Sequence, residues 1–127
     1  LAVGLGYSSA VIARMAKSVV GVEPLTEMAA AASQILAAQG IANAAVQTSV
    51  PAGLFDVILI EGGVQEVPES LLAQLAEGGR IGAIFMQGAL GVVKIGHKSE
   101  GRVNWRFAFN ASAPVLEEFA KVEAFAL

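Results

Sequence analysis

The first 23 residues combine a short apolar segment, a glycine turn, a helical pattern and a β-branched segment that ends at an acid. Residues 1–3 predict the end of a strand, Gly4 and Gly6 break it, and residues 7–17 show apolar positions at helical spacing. Residues 18–23 predict a short buried strand that ends at Glu23. In open α/β sheets this order forms a nucleotide-type site, because the turn admits a ligand, the helix start offers free N–H groups and the acid accepts hydrogen bonds from ribose.

The composition narrows the classes of function. The chain is 55% hydrophobic and 15% charged, which favours a buried parallel sheet covered by Ala-rich helices. The net charge is −3 without a basic run, so nothing indicates a nucleic-acid partner. The chain has no Cys and one His, which excludes disulfides, a cysteine nucleophile and a multi-histidine metal site, and we predict no metal. The richest apolar run, residues 81–86, is far shorter than the roughly 18 residues of a membrane span.

The remaining pattern alternates strands and helices before it changes near the end. We predict a helix over residues 26–39 that stops at Gly40, a weaker strand over 41–48, and a central parallel strand over 55–61 that Gly62 and Gly63 end. A helix over 69–76, a strand over 80–86 and an antiparallel hairpin of residues 90–97 and 103–110 follow. The last residues predict a short turn and a final strand at 122–127. The chain therefore predicts an α/β fold, mostly parallel, with a C-terminal antiparallel hairpin.

The length of 127 residues suits one domain of ordinary size. The chain begins with Leu rather than Met, in or near the middle of a predicted strand. Because a core strand is a poor place for a natural boundary, we expect residues 1–127 to form a single domain that lacks its N-terminal part.

The glycine turn is open to three interpretations. As a dinucleotide fingerprint it begins at Gly4 and needs Gly or Ala where Ser9 stands. Starting instead at Ala2, it matches the Gly-x-Gly-x-Gly motif of S-adenosylmethionine-dependent methyltransferases with Ala in first place. It can also be a turn that merely joins strand to helix. Glu23 suits the ribose of either cofactor, or it can interact with the dipole of the helix that follows.

Four segments resemble motifs of the protein-L-isoaspartate O-methyltransferases. Residues 4–13 (Gly-Leu-Gly-Tyr-Ser-Ser-Ala-Val-Ile-Ala) and 20–23 (Val-Gly-Val-Glu) resemble the first two motifs of that family. Residues 55–63 (Phe-Asp-Val-Ile-Leu-Ile-Glu-Gly-Gly) and 67–80 (Val-Pro-Glu-Ser-Leu-Leu-Ala-Gln-Leu-Ala-Glu-Gly-Gly-Arg) resemble its later motifs, the last being the most distinctive. The resemblance extends from residue 1 to about 110 and implies a Rossmann-like class I methyltransferase sheet in three α/β/α layers.

The resemblance implies S-adenosyl-L-methionine as the cofactor and assigns ten contacts to it. Glu23 would hold the ribose, Thr48 and Ser49 would face the adenine, and Glu61 and Gly62 would lie beneath the sulfonium. The contacts to the methionine and sugar would come from Ala2, Val3, Gly4, Gly6 and Tyr7.

The family methylates the abnormal carboxylate of L-isoaspartyl residues, and the ester cyclises to a succinimide that reopens partly to aspartate. The resemblance thus implies a cytoplasmic repair enzyme whose partners are damaged proteins or peptides, with no nucleic acid or membrane. The family's substrate-recognition elements precede the glycine motif, so no catalytic or substrate-binding residue is assigned here. His97 is predicted to be a solvated turn residue, and Glu61 is not needed as a base because methyl transfer to a carboxylate requires little proton removal.

Two other functions remain as alternatives. Family members usually carry Gly-Asp after the strand that precedes the adenine site, and that acid contacts the adenine amine. Residues 46–50 (Val-Gln-Thr-Ser-Val) contain no acid, which leaves open a degenerate, non-catalytic Rossmann-like binding domain. A nicotinamide-dependent dehydrogenase is disfavoured by Ser9 and by the terminal hairpin.

Overall fold

The computed structural model describes residues 1–121, which fall into two units, Leu1–Pro51 and the part of Ala52–Leu127 that precedes residue 122. The first unit contains four elements, which are α1 (Tyr7–Ala13), β1 (Val19–Val22), α2 (Thr26–Ala38) and β2 (Ala44–Gln47). Strands β1 and β2 are parallel, in a register that runs from Val19 opposite Ala44 to Val22 opposite Gln47. The buried positions of α2 are Ala29, Ala32 and Leu36, whose spacing places them on one helix face.

The elements of the first unit follow the predicted order, with two differences. Residues 1–3 form no strand, although the Val3 N–H donates to the Val22 carbonyl at 3.2 Å. Helix α1 ends four residues before the predicted end, because the Asn43 side-chain amide donates to the Ala13 and Ala16 carbonyls at 2.7 and 3.0 Å. A side chain thus satisfies carbonyls that another helical turn would have used. Gly40 ends α2 as predicted, with φ at +70°.

The second unit is built on one mixed sheet. Its elements are β3 (Phe55–Val64), α3 (Glu69–Leu72), β4 (Leu75–Gln87), β5 (Leu90–Ser99), β6 (Arg102–Asn110) and a short 3₁₀ helix (Glu117–Phe119). The strand order is β3-β4-β5-β6, with β3 and β4 parallel and the other neighbours antiparallel. The predicted hairpin is confirmed, and its turn places Glu100 and Gly101 at φ 53° and 73°. Those two N–H groups donate to the Glu77 carboxylate.

Two boundaries in the second unit, the ends of β3 and of α3, differ from the predictions. Gly62 and Gly63 lie inside β3 instead of ending it, because the strand continues to Val64 and pairs with Phe85. Helix α3 ends at Leu72, since the Phe55 N–H donates to the Gln74 carbonyl at 2.7 Å and so draws the following residues into β4. The predicted strand at 122–127 lies outside the described residues.

The apolar run of β3 does not mark a strand buried on both faces. Successive side chains of a strand point to opposite faces, and here Ile58 and Ile60 are buried whereas Val57 is 70% and Leu59 43% exposed. The expectation that this strand is buried on both faces is therefore wrong for the face that carries Val57 and Leu59. None of the helices within residues 1–121 has the length and apolar character that crossing a bilayer requires.

Candidate cofactor site

Alternate residues of the glycine turn adopt left-handed backbone conformations. The φ angles are 60° at Ala2, 56° at Gly4 and 84° at Gly6. Between them, Val3 accepts a hydrogen bond from the Gly6 N–H at 3.0 Å. Glycine adopts such angles freely, whereas an L-residue such as Ala2 is strained by about 1–2 kcal/mol. The Ala-x-Gly-x-Gly spacing thus follows from the backbone path of the turn.

The turn rests against helix α2. A methyl group at Gly6 would stand 3.2 Å from the Cβ of Ala32, which is tighter than ordinary contact. Gly6 is therefore required both by its φ angle and by the space that remains beside α2. This close approach fixes the position of the turn against α2.

Ser9 on α1 packs closely against β1 because the residue opposite it on the strand, Gly21, has no side chain. Ser9 is 1% exposed, and a Cβ at Gly21 would stand 2.7 Å from the Ser9 Oγ. In the dinucleotide fingerprint a glycine on the helix permits this close packing. Here Gly21 on β1 permits it instead, so Ser9 is compatible with a tight strand–turn–helix unit.

Glu23 joins the glycine turn to the start of α2. It follows β1 directly and is 7% exposed. One carboxylate oxygen accepts from the Gly4 N–H at 3.0 Å and the other from the Leu25 N–H at 2.9 Å. Each oxygen of an ionised carboxylate has two acceptor sites, so one remains on each for a ligand hydroxyl. Glu23 therefore contacts the start of α2 through its N-cap, Leu25, and the glycine turn through Gly4. The first contact agrees with an interaction with the helix dipole, and the second places the carboxylate beside the turn, as a ribose contact requires.

Thr48 and Ser49 lie at the same edge as Glu23. The Glu23 N–H donates to the Gln47 carbonyl at 2.8 Å, so residues that follow the two parallel strands are neighbours. Both hydroxyl side chains are exposed. The structure thus brings together the predicted contacts of the turn, the ribose acid and the adenine loop within the first unit.

The hydroxyls at the start of α1 do not cap the helix. The N-cap is Gly6, and no side chain caps the helix. The Ser8 Oγ is buried and has no hydrogen-bond partner within residues 1–121. Tyr7, the last predicted contact of the turn, is largely exposed. An unpaired buried hydroxyl beside a glycine turn is a feature that sequence spacing does not single out.

Glu61 and Gly62 belong to the second unit, where β3 is irregular. The pairing of β3 with β4 shifts between Leu59 and Gly63, and Glu61 is half-buried at this shift. A Cβ at Gly62 would stand 2.6 Å from the Leu116 side chain, so that face of Gly62 is filled by the chain itself. Contact of Glu61 and Gly62 with a cofactor stays a prediction.

Comparisons with known proteins identify relatives over most of the chain. The sequence model of the protein-L-isoaspartate(D-aspartate) O-methyltransferase family matches residues 1–106. A protein-L-isoaspartate O-methyltransferase of Dechloromonas aromatica is 36% identical over 89% of this chain and 55% of its own length. One of Methanoculleus marisnigri is 35% identical over 79% of this chain and 48% of its own. The chain therefore spans about half the length of these curated relatives.

Solved structures show the same fold. A protein-L-isoaspartate O-methyltransferase superposes with a TM-score of 0.81 at 26% identity, over 89% of this chain and 39% of that one. A Plasmodium falciparum protein described as a putative member, in complex with S-adenosyl-L-homocysteine, superposes with a TM-score of 0.68 at 21% identity, over 80% of this chain and 53% of that one. The predicted Rossmann-like methyltransferase fold is confirmed.

Proposed function

This chain belongs to the protein-L-isoaspartate(D-aspartate) O-methyltransferase family, and on that basis we propose that it methylates L-isoaspartyl carboxylates with S-adenosyl-L-methionine as the donor. Its partners would be damaged proteins or peptides that contain such residues. A single cofactor-binding domain over residues 1–127 and a location in the cytoplasm are parts of the same proposal.

The observation that carries the proposal is the carboxylate of Glu23 against the glycine turn. Glu23 holds the Gly4 N–H at 3.0 Å and keeps acceptor capacity for a ribose diol. The exposed hydroxyls of Thr48 and Ser49 flank the same edge and suit the polar edge of adenine. The turn holds Gly4 and Gly6 in left-handed conformations, and Gly4 is partly exposed on the side where the methionine part of the cofactor would lie.

The reaction needs positioning more than acid–base chemistry. A carboxylate oxygen attacks the methyl carbon of the sulfonium, the carbon–sulfur bond breaks, and the electron pair of that bond stays on sulfur. The products are a methyl ester and S-adenosylhomocysteine, and no proton is transferred in this step. Holding the two reactants in line supplies the main part of the rate enhancement. The absence of an assigned general base is consistent with this chemistry.

Two measurements test the proposal on the longest natural form of the protein. Calorimetric titration is expected to show binding of S-adenosylhomocysteine and none of NADH. Methyl transfer from labelled cofactor is expected with an isoaspartyl peptide and not with the matched aspartyl peptide. Binding of neither cofactor would contradict an enzymatic function, and binding without transfer would support a non-catalytic domain.

A further inference from the structure

A cavity of about 550 Å³ lies in the second unit, where the parallel strands β3 and β4 finish. Its size is in the ordinary range for small-ligand sites. The polar side chains that line it are Gln65, Gln87, Lys94 and Lys121, and the described lining contains no acid. A chain with net charge −3 thus carries an open cavity whose charged groups, among the described residues, are both cationic. In parallel α/β sheets, ligands bind at the carboxyl ends of the strands, which is where this cavity lies.

Lys94 lies in the cavity wall beside an aromatic ring. Its side chain is half-buried on β5, and its ammonium stands 5.0 Å from the centre of the Phe85 ring. Within residues 1–121 the ammonium forms no ion pair. A cation–π contact is weak at a partly exposed site and uses no N–H donor in a directed bond, so the ammonium retains donors for an anion.

Gln65 and Lys121 also line the cavity. The Gln65 N–H donates to the Phe119 carbonyl at 2.9 Å, and the Gln65 side-chain carbonyl accepts from the Lys121 N–H at 2.9 Å. These bonds fix the backbone of Lys121 beside the cavity. The second of these bonds engages the Gln65 amide oxygen, and the Gln65 NH₂ supplies two donors for an anionic ligand.

We propose that this cavity binds a carboxylate of the peptide substrate other than the one that is methylated. Two ammonium groups and amide N–H donors form charge-assisted hydrogen bonds with a carboxylate. A carboxylate held by two ammonium groups is stabilised as an anion and is a poor nucleophile, which argues against the methyl-accepting group as the occupant. The identity of the occupant as a peptide rests on the proposed function, whereas the preference for an anion rests on the lining alone. The cavity therefore selects isoaspartyl peptides that carry a neighbouring acidic side chain.

Trp105 offers a direct readout of occupancy. It is the only Trp of the chain and packs edge-to-face on Phe85, with ring centres 4.9 Å apart. An anion that draws the Lys94 ammonium away from Phe85 changes the surroundings of this ring pair. Titration of Trp fluorescence compares two isoaspartyl peptides that differ only by Glu or Gln beside the isoaspartyl residue. We expect the Glu peptide to bind about five-fold more tightly, the effect of a partly exposed charge pair.

Substitutions of the two lysines test whether the preference for the Glu peptide arises in the cavity. Lys94→Met and Lys121→Met are expected to remove the difference between the two peptides, and Lys94→Arg is expected to keep it. Lys17→Met is the matched control, because Lys17 is an exposed lysine of the first unit. In the methyl-transfer assay the same Met variants should raise KM for the Glu peptide about five-fold and leave kcat unchanged. Thermal melting checks that each variant is folded.

The outcomes separate this inference from the proposed function. Equal binding of the two peptides by the unaltered protein overturns the inference, as does a preference that survives both Met variants. Loss of Glu-peptide binding on saturation with S-adenosylhomocysteine would mean that the cavity holds the cofactor's carboxylate, which also overturns it. A preference that persists in a protein without methyl-transfer activity supports the cavity and contradicts only the proposed function.

Discussion

Two segments of the molecule combine a pair of glycines with an acid, yet the glycines serve different purposes. In the first unit, Gly4 and Gly6 have φ angles of 56° and 84°, and Glu23 binds the backbone of the turn. In the second unit, Gly62 and Gly63 lie within β3 and do not have positive φ angles. They leave room for residues 113–116, which pass close to their α-carbons. The first pair is required by conformation, with limited space as a second constraint at Gly6, and the second pair is required by space alone.

This difference separates a turn shaped by its backbone angles from a strand that is covered by its own chain. The Gly63 N–H donates to the Pro114 carbonyl at 2.8 Å, and the Gly63 carbonyl accepts from the Leu116 N–H at 2.9 Å. A glycine next to an acid therefore does not by itself mark a ligand site. The backbone angle and the nearest neighbour of the missing Cβ decide which role a glycine has.

The largest effect is expected for Gly63→Ala. A Cβ at Gly63 would stand 2.7 Å from the Ala113 carbonyl oxygen and 2.8 Å from the Met86 side chain. Because a backbone oxygen cannot move away without breaking the adjacent hydrogen bonds, we expect the free energy of unfolding to fall by about 3 kcal/mol, the upper part of the range for overpacking. Denaturant titration measures this loss.

Gly82→Ala is the matched control for Gly63. Gly82 lies on β4, and its nearest neighbour, the Leu59 side chain, would stand 3.4 Å from an added Cβ, close to ordinary contact. We expect a change within about 0.5 kcal/mol. Equal losses for the two substitutions would show that strand propensity, rather than the close approach of residues 113–116, determines the requirement at Gly63.

Glu23→Ala is expected to reduce both stability and cofactor affinity. It leaves the Gly4 and Leu25 N–H groups without their acceptor and removes the proposed ribose contact. Hydrogen bonds to charged groups contribute about 1.5–3 kcal/mol, so affinity for S-adenosylhomocysteine should fall at least ten-fold. Calorimetry measures the affinity and thermal melting the stability.

The acidic control is Glu27→Ala, which removes an exposed carboxylate from the first turn of α2. We expect its cofactor affinity to match that of the unaltered protein. Glu23→Gln keeps one acceptor oxygen, so its affinity for S-adenosylhomocysteine should lie between those of Glu23→Ala and Glu27→Ala. An unchanged affinity in Glu23→Ala would show that the acid serves only to hold the turn, and the ribose assignment would be wrong.

Gly6→Ala and Gly40→Ala compare a glycine of the site with a glycine that only ends a helix. Both have positive φ, 84° and 70°, so each substitution is strained by about 1–2 kcal/mol. Only Gly6 also has a close neighbour, since an added Cβ would stand 3.2 Å from Ala32, whereas Gly40 has open space. We expect both to lower the melting temperature and Gly6→Ala alone to weaken binding of S-adenosylhomocysteine. A similar loss of affinity in Gly40→Ala would contradict a specific role of the turn.

The order of elements was predictable from the sequence because strong local signals mark it. Gly40 stops α2 by its conformation, and the polar, Gly-containing loop around Gly101 marks the hairpin. Boundaries set by contacts distant in sequence were not predictable. Asn43 shortens α1 from 27 residues away, and the pairing of Phe55 with Leu75 ends α3 early.

The candidate site likewise has features that were predictable from the sequence and features that were not. The turn and Glu23 were identifiable because they lie 17 positions apart in a recurrent order. The bond from the Gly4 N–H to Glu23 was not predicted, since it depends on how the turn folds over the end of β1. The cationic cavity was missed entirely, because Lys94 and Lys121 lie on different segments and neither belongs to a motif.

The smallest effect is expected for Ala2→Gly, which is also the only substitution expected to increase stability. Ala2 occupies the first position of the turn with φ at 60°, an angle that strains an L-residue by about 1–2 kcal/mol. Glycine relieves that strain but also increases the freedom of the unfolded chain, so the net gain in stability should be about 0.5 kcal/mol. Because the strain acts on the turn that would contact the cofactor, a small rise in affinity for S-adenosylhomocysteine should accompany it. The contrast with Gly62 is direct: Gly62→Ala would insert a methyl group against Leu116, whereas Ala2→Gly removes one from a strained turn. A lower affinity in Ala2→Gly would mean that the methyl group of Ala2 itself contacts the cofactor, and the turn would then be shaped by packing like its counterpart in β3.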